Sequence, residues 1–210
     1  RALLALAGKQ PAERYRLDRK LHGGQTTLVG LDEVVDLTAP GVERFMTLPL
    51  DQTEGEGAAG LSAVAEGPAL ATRAPRRQFE LPEEDVEQLD GLGRPWEAVV
   101  SGGSQWLFVH EYPVPRGYTA ARISVAVLVT PGYPTAPLDM MYVHPPLARE
   151  DARPIGALST MSIDGAVWQR WSRHRTVANP WRPGEDDLAA HLRLVDHWLA
   201  REFAAVPLAA

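Results

Sequence analysis

The sequence predicts an α+β fold in which a small N-terminal unit and a linker precede a four-stranded antiparallel meander covered by helices. Short apolar or alternating runs separated by Gly and Pro turns recur between residues 96 and 143, a pattern typical of antiparallel hairpins. Apolar residues then repeat at near-helical spacing from residue 188 to residue 203, as in a helix that covers one face of a sheet. Strands and helices therefore occupy separate parts of the chain, as they do in α+β domains.

The composition limits the classes of function. The chain of 210 residues has a net charge of -6 from 21 basic and 27 acidic side chains, whereas nucleic-acid binding usually requires a basic face. No apolar run is long enough for a membrane span, and the short apolar run after Arg1 lacks a signal-peptide pattern. We therefore expect a soluble, cytoplasmic protein without nucleic-acid or membrane partners.

Cysteine is absent from the sequence. This excludes disulfides, thiolate metal ligands and cysteine nucleophiles. None of the six histidines forms a pair at metal-ligand spacing. The sequence therefore predicts neither a metal site nor a cofactor.

Residues 1–52 are predicted to form a compact unit, with a helix first and strands after it. An Ala/Leu run ends at Gly8, as many helices do, and residues 42–48 alternate as a strand does. The expected elements, in order, are a helix over 2–7, a short strand over 15–17, a turn over 22–25, a strand over 26–31, a buried one-turn element over 33–37 and a strand over 42–48. Residues 53–78 are predicted to be a flexible linker, because Gly, Ala, Glu, Pro and Ser dominate there without a period.

Residues 79–210 are predicted to form a second domain. Pro82 and the acidic residues after it are typical of a helix start, and a second acidic start follows Gly184. The expected elements are a helix over 81–89, strands over 96–101, 104–112, 122–129 and 138–143, and a final helix from 185 onwards.

Residues 164–175 contain two of the six tryptophans, three arginines, a serine and a histidine. The segment shows neither strand alternation nor a helical stripe, so we expect a loop whose rings pack under it while its polar ends face a site. Ser172, Arg173 and His174 are the candidates for chemistry. The alternative is an ordinary surface loop held by tryptophans.

The order of motifs in the second domain resembles that of ubiquitin-conjugating enzymes. Tyr133-Pro134 precedes the fourth strand, His144-Pro145 follows it, and Trp181-Arg182-Pro183 precedes the final helix, like the family's Tyr-Pro, His-Pro-Asn and Trp-Ser-Pro motifs. Residues 168–174 look like the divergent prokaryotic branch that occurs beside, or fused to, multi-ubiquitin domains. The resemblance covers about residues 79–205 and implies the UBC fold.

The N-terminal unit resembles the back half of a multi-ubiquitin-type β-grasp domain, particularly in residues 33–37 and 40–45. We expect the front hairpin of that domain to be missing from this chain, and the parent protein to begin earlier. Gly55 and Gly57 stand where a ubiquitin-like tail would lie and are therefore candidates for that tail. The alternative is that they are spacer glycines.

The cysteine nucleophile of the resembled family has no counterpart here. That family places it eight residues before the Trp-x-Pro tryptophan, and Ser172 lies nine residues before Trp181. Pro146 replaces the Asn of the His-Pro-Asn motif. The resemblance thus makes Ser172 the candidate nucleophile, and the hydroxyls that compete with it are Ser159, Thr160 and Ser162.

A serine hydroxyl needs a base as it attacks, because it ionises far less readily than a thiol. His174 is nearest in sequence, although residues two apart in an extended segment stand about 6–7 Å apart; His144 and His191 are the alternatives. Arg173, Arg170 or loop amides would stabilise the oxyanion. The residues expected to line the site are Trp171, Trp181, His144, Arg170 and Asp139.

Two functions from different classes fit these features. The first is a conjugating enzyme that carries a ubiquitin-like protein on serine as an oxyester and transfers it to a target amine. Its partners would be the activating enzyme, a ubiquitin-like protein (its own fused domain or another copy) and the target protein. The second is a catalytically inactive UBC-fold module that binds a ubiquitin-like protein as a scaffold. A serine hydrolase is disfavoured, because no nucleophile-elbow pattern surrounds Ser172.

Overall fold

The N-terminal unit is a small sheet with a short helix against it. The computed structural model describes residues 1–21, 26–38, 42–49, 53–54 and 74–203. Helix α1 (Ala2–Leu6) and a 3-10 turn (Ala12–Arg14) precede strands β1 (Tyr15–Leu21), β2 (Thr26–Val29) and β3 (Val42–Pro49). The strands pair antiparallel in the order β2-β1-β3. Their core consists of Leu4, Ala12, Leu17 and Val29.

One element predicted in this unit is wrong. Residues 33–36 form no helical turn, and Val34 is 96% exposed. Glu33 accepts a hydrogen bond from the Gly30 amide at 2.9 Å, and Asp36 accepts one from the Thr38 amide at 2.8 Å. Such local bonds from acidic side chains to the backbone favour turns over helices. The turn predicted over 22–25 lies outside the described residues, as do Gly55, Gly57 and most of the predicted linker.

The second part of the chain is built on a six-stranded antiparallel sheet. Its elements are α2 (Glu83–Gly91), β5 (Trp96–Ser101), β6 (Ser104–Pro113), β7 (Arg122–Val129), β8 (Met141–His144), β9 (Leu158–Ile163), β10 (Ala166–Trp171) and α3 (Leu188–Arg201). The strand order is β5-β6-β7-β8-β10-β9. Strands β4 (Thr53–Glu54) and β11 (Arg173–His174) form a separate antiparallel pair. The α+β class and the predicted four-stranded meander are confirmed. Strands β9 and β10 extend the sheet but not the meander, because β10 lies between β8 and β9.

The sheet carries a hydrophobic core on each face. Helices α2 and α3 cover one face, where Trp198 and Leu199 of α3 pack with strand residues such as Leu107 and Val125. On the other face the Phe108 and Trp168 rings stack with their centroids 5.0 Å apart. The sheet therefore has no purely solvent-facing side over its central strands.

The tryptophan segment was predicted to be a loop, and this prediction is wrong. Residues 166–171 are strand β10, paired with β8 on one side and β9 on the other. Gln169 is fully buried, and its amide group exchanges two hydrogen bonds with the Leu147 backbone, at 3.0 and 3.1 Å. A strand buried on both faces shows no polar alternation, which is why the sequence pattern did not reveal it.

Helix α3 begins at Leu188, three residues after the predicted start at residue 185. The Asp187 carboxylate caps the helix by accepting a hydrogen bond from the Ala190 amide at 2.7 Å, as N-cap aspartates do. Across the described ranges, no helix is long and apolar enough to cross a membrane.

Candidate functional site

His174 and Asp139 form a partly exposed ion-pairing contact at the end of β11. The His174 Nδ1 atom lies 2.7 Å from Asp139 Oδ2, and the two side chains are 34% and 38% exposed. Because a carboxylate only accepts, the imidazole carries its proton on Nδ1 when neutral. Nε2 is then an available base, so the pair has the orientation that general-base catalysis requires.

The backbone of Met140 fixes the position of Asp139. Met140 has a positive φ of 59°, which is uncommon for a residue with a side chain. Its amide donates to the Arg173 carbonyl at 3.2 Å, and its carbonyl accepts from His191 Nε2 at 2.9 Å. These two bonds hold the left-handed conformation and bring the neighbouring carboxylate towards His174.

His191 supports this turn from inside the protein. It is fully buried on α3, and burial lowers its pKa to about 4, with a further lowering by the charge of Arg175. The neutral ring donates its Nε2 proton to the Met140 carbonyl. His191 is therefore a positioning residue for Asp139, and not the base for Ser172 that the sequence offered as an alternative.

Ser172 lies between β10 and β11 and is only 5% exposed. Its amide donates to the Ala157 carbonyl at 3.1 Å. Within the described ranges, no hydrogen bond joins the Ser172 hydroxyl to His174, whose ring is bound to Asp139 instead. The structure thus places the two candidates on one segment without direct contact, as their spacing along an extended chain leads one to expect.

Arg173 points into the protein. Its side chain is fully buried and pairs with Glu202 at 2.9 Å, and Nη1 donates to the Gly156 carbonyl at 3.0 Å. The guanidinium therefore fastens β11 to the end of α3. In this arrangement it does not face the imidazole of His174.

The two tryptophans expected to line the site are packing anchors. Trp171 is fully buried, and its indole donates to Gln169 Oε1 at 2.9 Å. The indole of Trp181 donates to the Pro134 carbonyl at 3.0 Å, and the Arg175 guanidinium lies 4.8 Å from its ring centroid. These contacts hold the segments on both sides of β11.

His144 and Arg170 are not brought to the His174 end of the site. In the β8–β10 ladder Met141 pairs with Trp171, and His144 lies three residues further, about 10 Å along the strand. Arg170 Nε donates to the Ser159 hydroxyl at 2.8 Å. Of the competing hydroxyls, Ser159 is therefore engaged, while Thr160 and Ser162 are exposed on β9.

A second polar network, which the sequence did not indicate, lies at the other end of the strands. Ser124 Oγ lies 2.8 Å from His110 Nδ1, and His110 Nε2 lies 3.5 Å from Glu97. Arg76 pairs with Glu97 at 2.7 Å. The three central residues lie on three adjacent strands, so no spacing within one element could have indicated the network.

Among the described residues, no group of three or more His, Cys, Asp or Glu side chains could hold a metal ion.

Asp85 joins three structural elements: its carboxylate accepts from the Tyr133 hydroxyl at 2.5 Å and from the Leu188 amide at 3.2 Å. Burial raises the pKa of Asp85. Asp85 thus connects α2 to the start of α3, and the tyrosine of the Tyr-Pro motif binds the same carboxylate.

Comparison with protein families identifies both parts of the chain. The model of Prokaryotic E2 family E matches residues 81–202, more than half of the sequence. The chain belongs to Prokaryotic E2 family E. The Multiubiquitin family model matches residues 1–49, so this E2-family chain carries a UBC-like domain fused to a ubiquitin-like domain. No curated protein and no solved structure matches it.

Proposed function

We propose that this E2-family chain is a cysteine-free conjugating enzyme that carries a ubiquitin-like protein on Ser172 as an oxyester and passes it to a target amine. The observation that supports this most directly is the Asp139–His174 pair, which lies two residues from Ser172 with Nε2 of the imidazole available. The activating enzyme of the same system would supply the acyl group. The proposed domains are residues 1–52 and 79–210, joined by the linker over 53–78.

In the proposed reaction the Ser172 hydroxyl attacks the carbonyl carbon of the activated tail, and its proton passes to His174 Nε2. The bond from that carbon to the activating group breaks, and the leaving group takes the bonding electrons. The target amine then attacks the ester carbon, and the bond from that carbon to Ser172 Oγ breaks as the amide bond forms. The serine oxygen takes the proton held by His174 Nε2, and the proton lost by the amine passes to that nitrogen or to solvent. A positioned general base accelerates such steps about 10²–10⁴-fold, and Asp139 holds the imidazole in the required orientation.

The proposal requires the Ser172 hydroxyl to become accessible. The residue is 5% exposed, and its amide is bound to the Ala157 carbonyl. Separation of residues 156–157 from β11 would open the path between Ser172 and His174. Arg173 would keep β11 anchored meanwhile through Glu202.

The burial of Ser172 favours a second candidate function. A hydroxyl that stays buried cannot accept an acyl group, and the chain has no cysteine to replace it. In that case the UBC-like domain would bind a ubiquitin-like protein as a scaffold. Both proposals include binding of a ubiquitin-like protein, whereas only the conjugating proposal requires an activating enzyme.

The experiment incubates the full chain with its activating enzyme, ATP and ubiquitin-like protein, and measures the mass of the products. The conjugating proposal expects a hydroxylamine-sensitive adduct that is lost in Ser172→Ala and retained in Ser162→Ala, a matched serine on the exposed strand β9. An adduct that still forms in Ser172→Ala would show that another residue is the nucleophile. Absence of any adduct with a proven activating enzyme would leave the scaffold function.

A further inference from the structure

The segment that leaves the ubiquitin-like unit lies along the candidate site. Strand β4 begins four residues after Pro49, the last residue of β3. It pairs antiparallel with β11, with Thr53 opposite His174 and Glu54 opposite Arg173. The backbone that follows the ubiquitin-like sheet is therefore held beside the imidazole that Asp139 orients.

A buried ion pair fixes the ubiquitin-like unit to helix α3. Arg193 Nε lies 3.4 Å from Asp18 Oδ2, and the two side chains are 6% and 1% exposed. Asp18 also pairs with Arg16 at 3.0 Å within its own unit. Removing one partner of a buried pair leaves an uncompensated charge. Loss of this contact should therefore strongly favour a displaced ubiquitin-like unit over a docked one.

Two further contacts between the two parts lie nearer the surface. Arg44 lies 3.5 Å from Asp187, with 41% of the arginine side chain exposed. Arg182 Nη2 lies 3.4 Å from the Thr47 carbonyl. Exposed pairs of this kind contribute little, so Asp18–Arg193 is the contact whose loss should release the unit.

We propose that the edge of β11 is the seat for the extended tail of a ubiquitin-like unit, and that the chain's own unit fills this seat in cis. Extended peptides bind exposed strand edges through main-chain hydrogen bonds, as β4 does here. A tail from another copy could then reach His174 only after the cis tail leaves. The fused unit would thus regulate the site, an inference that rests on the proposed function in treating a ubiquitin-like tail as the ligand.

Covalent linkage gives the cis tail a strong advantage. A tethered segment acts at an effective concentration of about millimolar for short flexible linkers. A free tail must therefore compete against its tethered equivalent, and weakening the cis contact should strengthen binding in trans. The chemistry of the occupant is an extended backbone whose parent unit presents a carboxylate at the position of Asp18.

The absence of cysteine makes the pairing directly measurable. We expect Thr53→Cys with His174→Cys to form an intramolecular disulfide under mild oxidation, detected by mass after thiol alkylation. Thr53→Cys with Val100→Cys is the control, because Val100 lies on the distant edge strand β5 and is 46% exposed. A disulfide-linked dimer would show that a second copy fills the seat. A yield of intramolecular disulfide no higher than in the control would show that Thr53 and His174 are not paired. Either result would overturn the proposal.

The regulatory part is tested with a fluorescein-labelled peptide of residues 46–57 added to the full chain. We expect binding at least tenfold tighter when the seat is vacated by Asp18→Asn, and likewise by the double change Thr53→Pro with Glu54→Pro, which removes backbone donors without touching the buried pair. Arg44→Gln is the control and should bind like the unchanged protein. Equal affinity in all four proteins would overturn cis occupancy.

These tests need no catalysis, so their failure is distinct from failure of the proposed function. If the disulfide forms and the peptide binds more tightly to the variants while no acyl adduct forms, the proposed seat on β11 is supported and the proposed conjugating activity is contradicted. If an adduct on Ser172 forms at the same rate in Asp18→Asn and in the unchanged protein, the conjugating activity is supported, and its regulation by the fused unit is contradicted.

Discussion

Asp139 and His174 are 35 residues apart in the sequence, and their side chains meet at 2.7 Å. The contact depends on the left-handed backbone at Met140. Two hydrogen bonds hold this backbone: the Met140 amide donates to the Arg173 carbonyl, and the Met140 carbonyl accepts from the buried ring of His191. Strand β11, the segment just before β8 and helix α3 therefore all help to position the His174 imidazole. A site assembled in this way should be sensitive to the carboxylate without depending on it for folding.

We predict that Asp139→Asn lowers the rate of adduct formation about 100-fold, within the range expected for loss of an oriented general base. The amide no longer enforces the tautomer that leaves Nε2 unprotonated. Because the Asp139 side chain is 38% exposed, the free energy of unfolding should change by less than about 1 kcal/mol. Single-turnover mass measurements and denaturant unfolding give the two quantities.

His144→Gln is the matched control, because His144 lies at the other end of β8 and binds the Val167 carbonyl. It should leave the rate of adduct formation unchanged. A similar loss of rate in both variants would contradict the assignment of the base to His174.

Protonation of His191 should destabilise the protein in mild acid. Burial lowers its pKa from 6.5 to about 4 in the folded state, so the unfolded chain binds more protons between these pH values. Stability contributed by the neutral ring is therefore present above pH 6.5 and is lost as the pH falls to 4. The expected loss is about 3 kcal/mol, at 1.36 kcal/mol per pKa unit.

Denaturant unfolding of the protein and of His191→Gln at pH 7 and pH 4 isolates this contribution. The difference in unfolding free energy between the two proteins should shrink by about 3 kcal/mol at the lower pH, since glutamine does not titrate. Asp139 and Arg175 face the ring in both proteins, so their contributions are largely shared. A pH-independent difference would contradict a neutral, buried His191.

Arg173 should matter for stability through its carboxylate partner. We predict that Glu202→Gln costs about 3 kcal/mol, because it removes a carboxylate that pairs at 2.9 Å with the buried guanidinium. Glu185→Gln is the control: Glu185 pairs with Arg182 at 2.9 Å but is 66% exposed, so its loss should cost less than about 1 kcal/mol. Chemical denaturation of both variants measures the difference, and equal costs would exclude an anchoring role for Arg173.

The sequence could predict the meander because each of its strands is bounded by Gly or Pro turns. It could not predict β10, because Gln169 and Trp171 are both buried and no polar alternation remains. The strand predicted over 138–143 begins later, at Met141, because Asp139 and Met140 form the turn that supports the site. The sequence indicated His174 and Asp139 as candidate site residues, and these assignments stay predictions. It could not indicate their contact, because that contact depends on the pairing of distant segments.

Gly117 shows how closely the end of α3 approaches the loop before β7. Its φ is +102°, and a Cβ added there would lie 2.7 Å from Phe203 Cε1. The Phe203 ring is held by an edge contact with Tyr118, at 4.7 Å between centroids, and by the Arg149 guanidinium 4.4 Å from its centroid. The ring therefore cannot shift without losing both contacts.

We predict that Gly117→Ala costs about 3 kcal/mol of unfolding free energy, from overpacking against Phe203 together with the strained φ. Gly165→Ala separates these causes, because Gly165 also has a positive φ of +79°, whereas no atom of the described residues beyond its two chain neighbours lies within 4 Å of its added Cβ. That variant should lose only about 1 kcal/mol, the conformational part alone. If the two variants unfold at the same denaturant concentration, Phe203 does not press on this loop, and the end of α3 is less tightly packed than the contacts of Tyr118 and Arg149 imply.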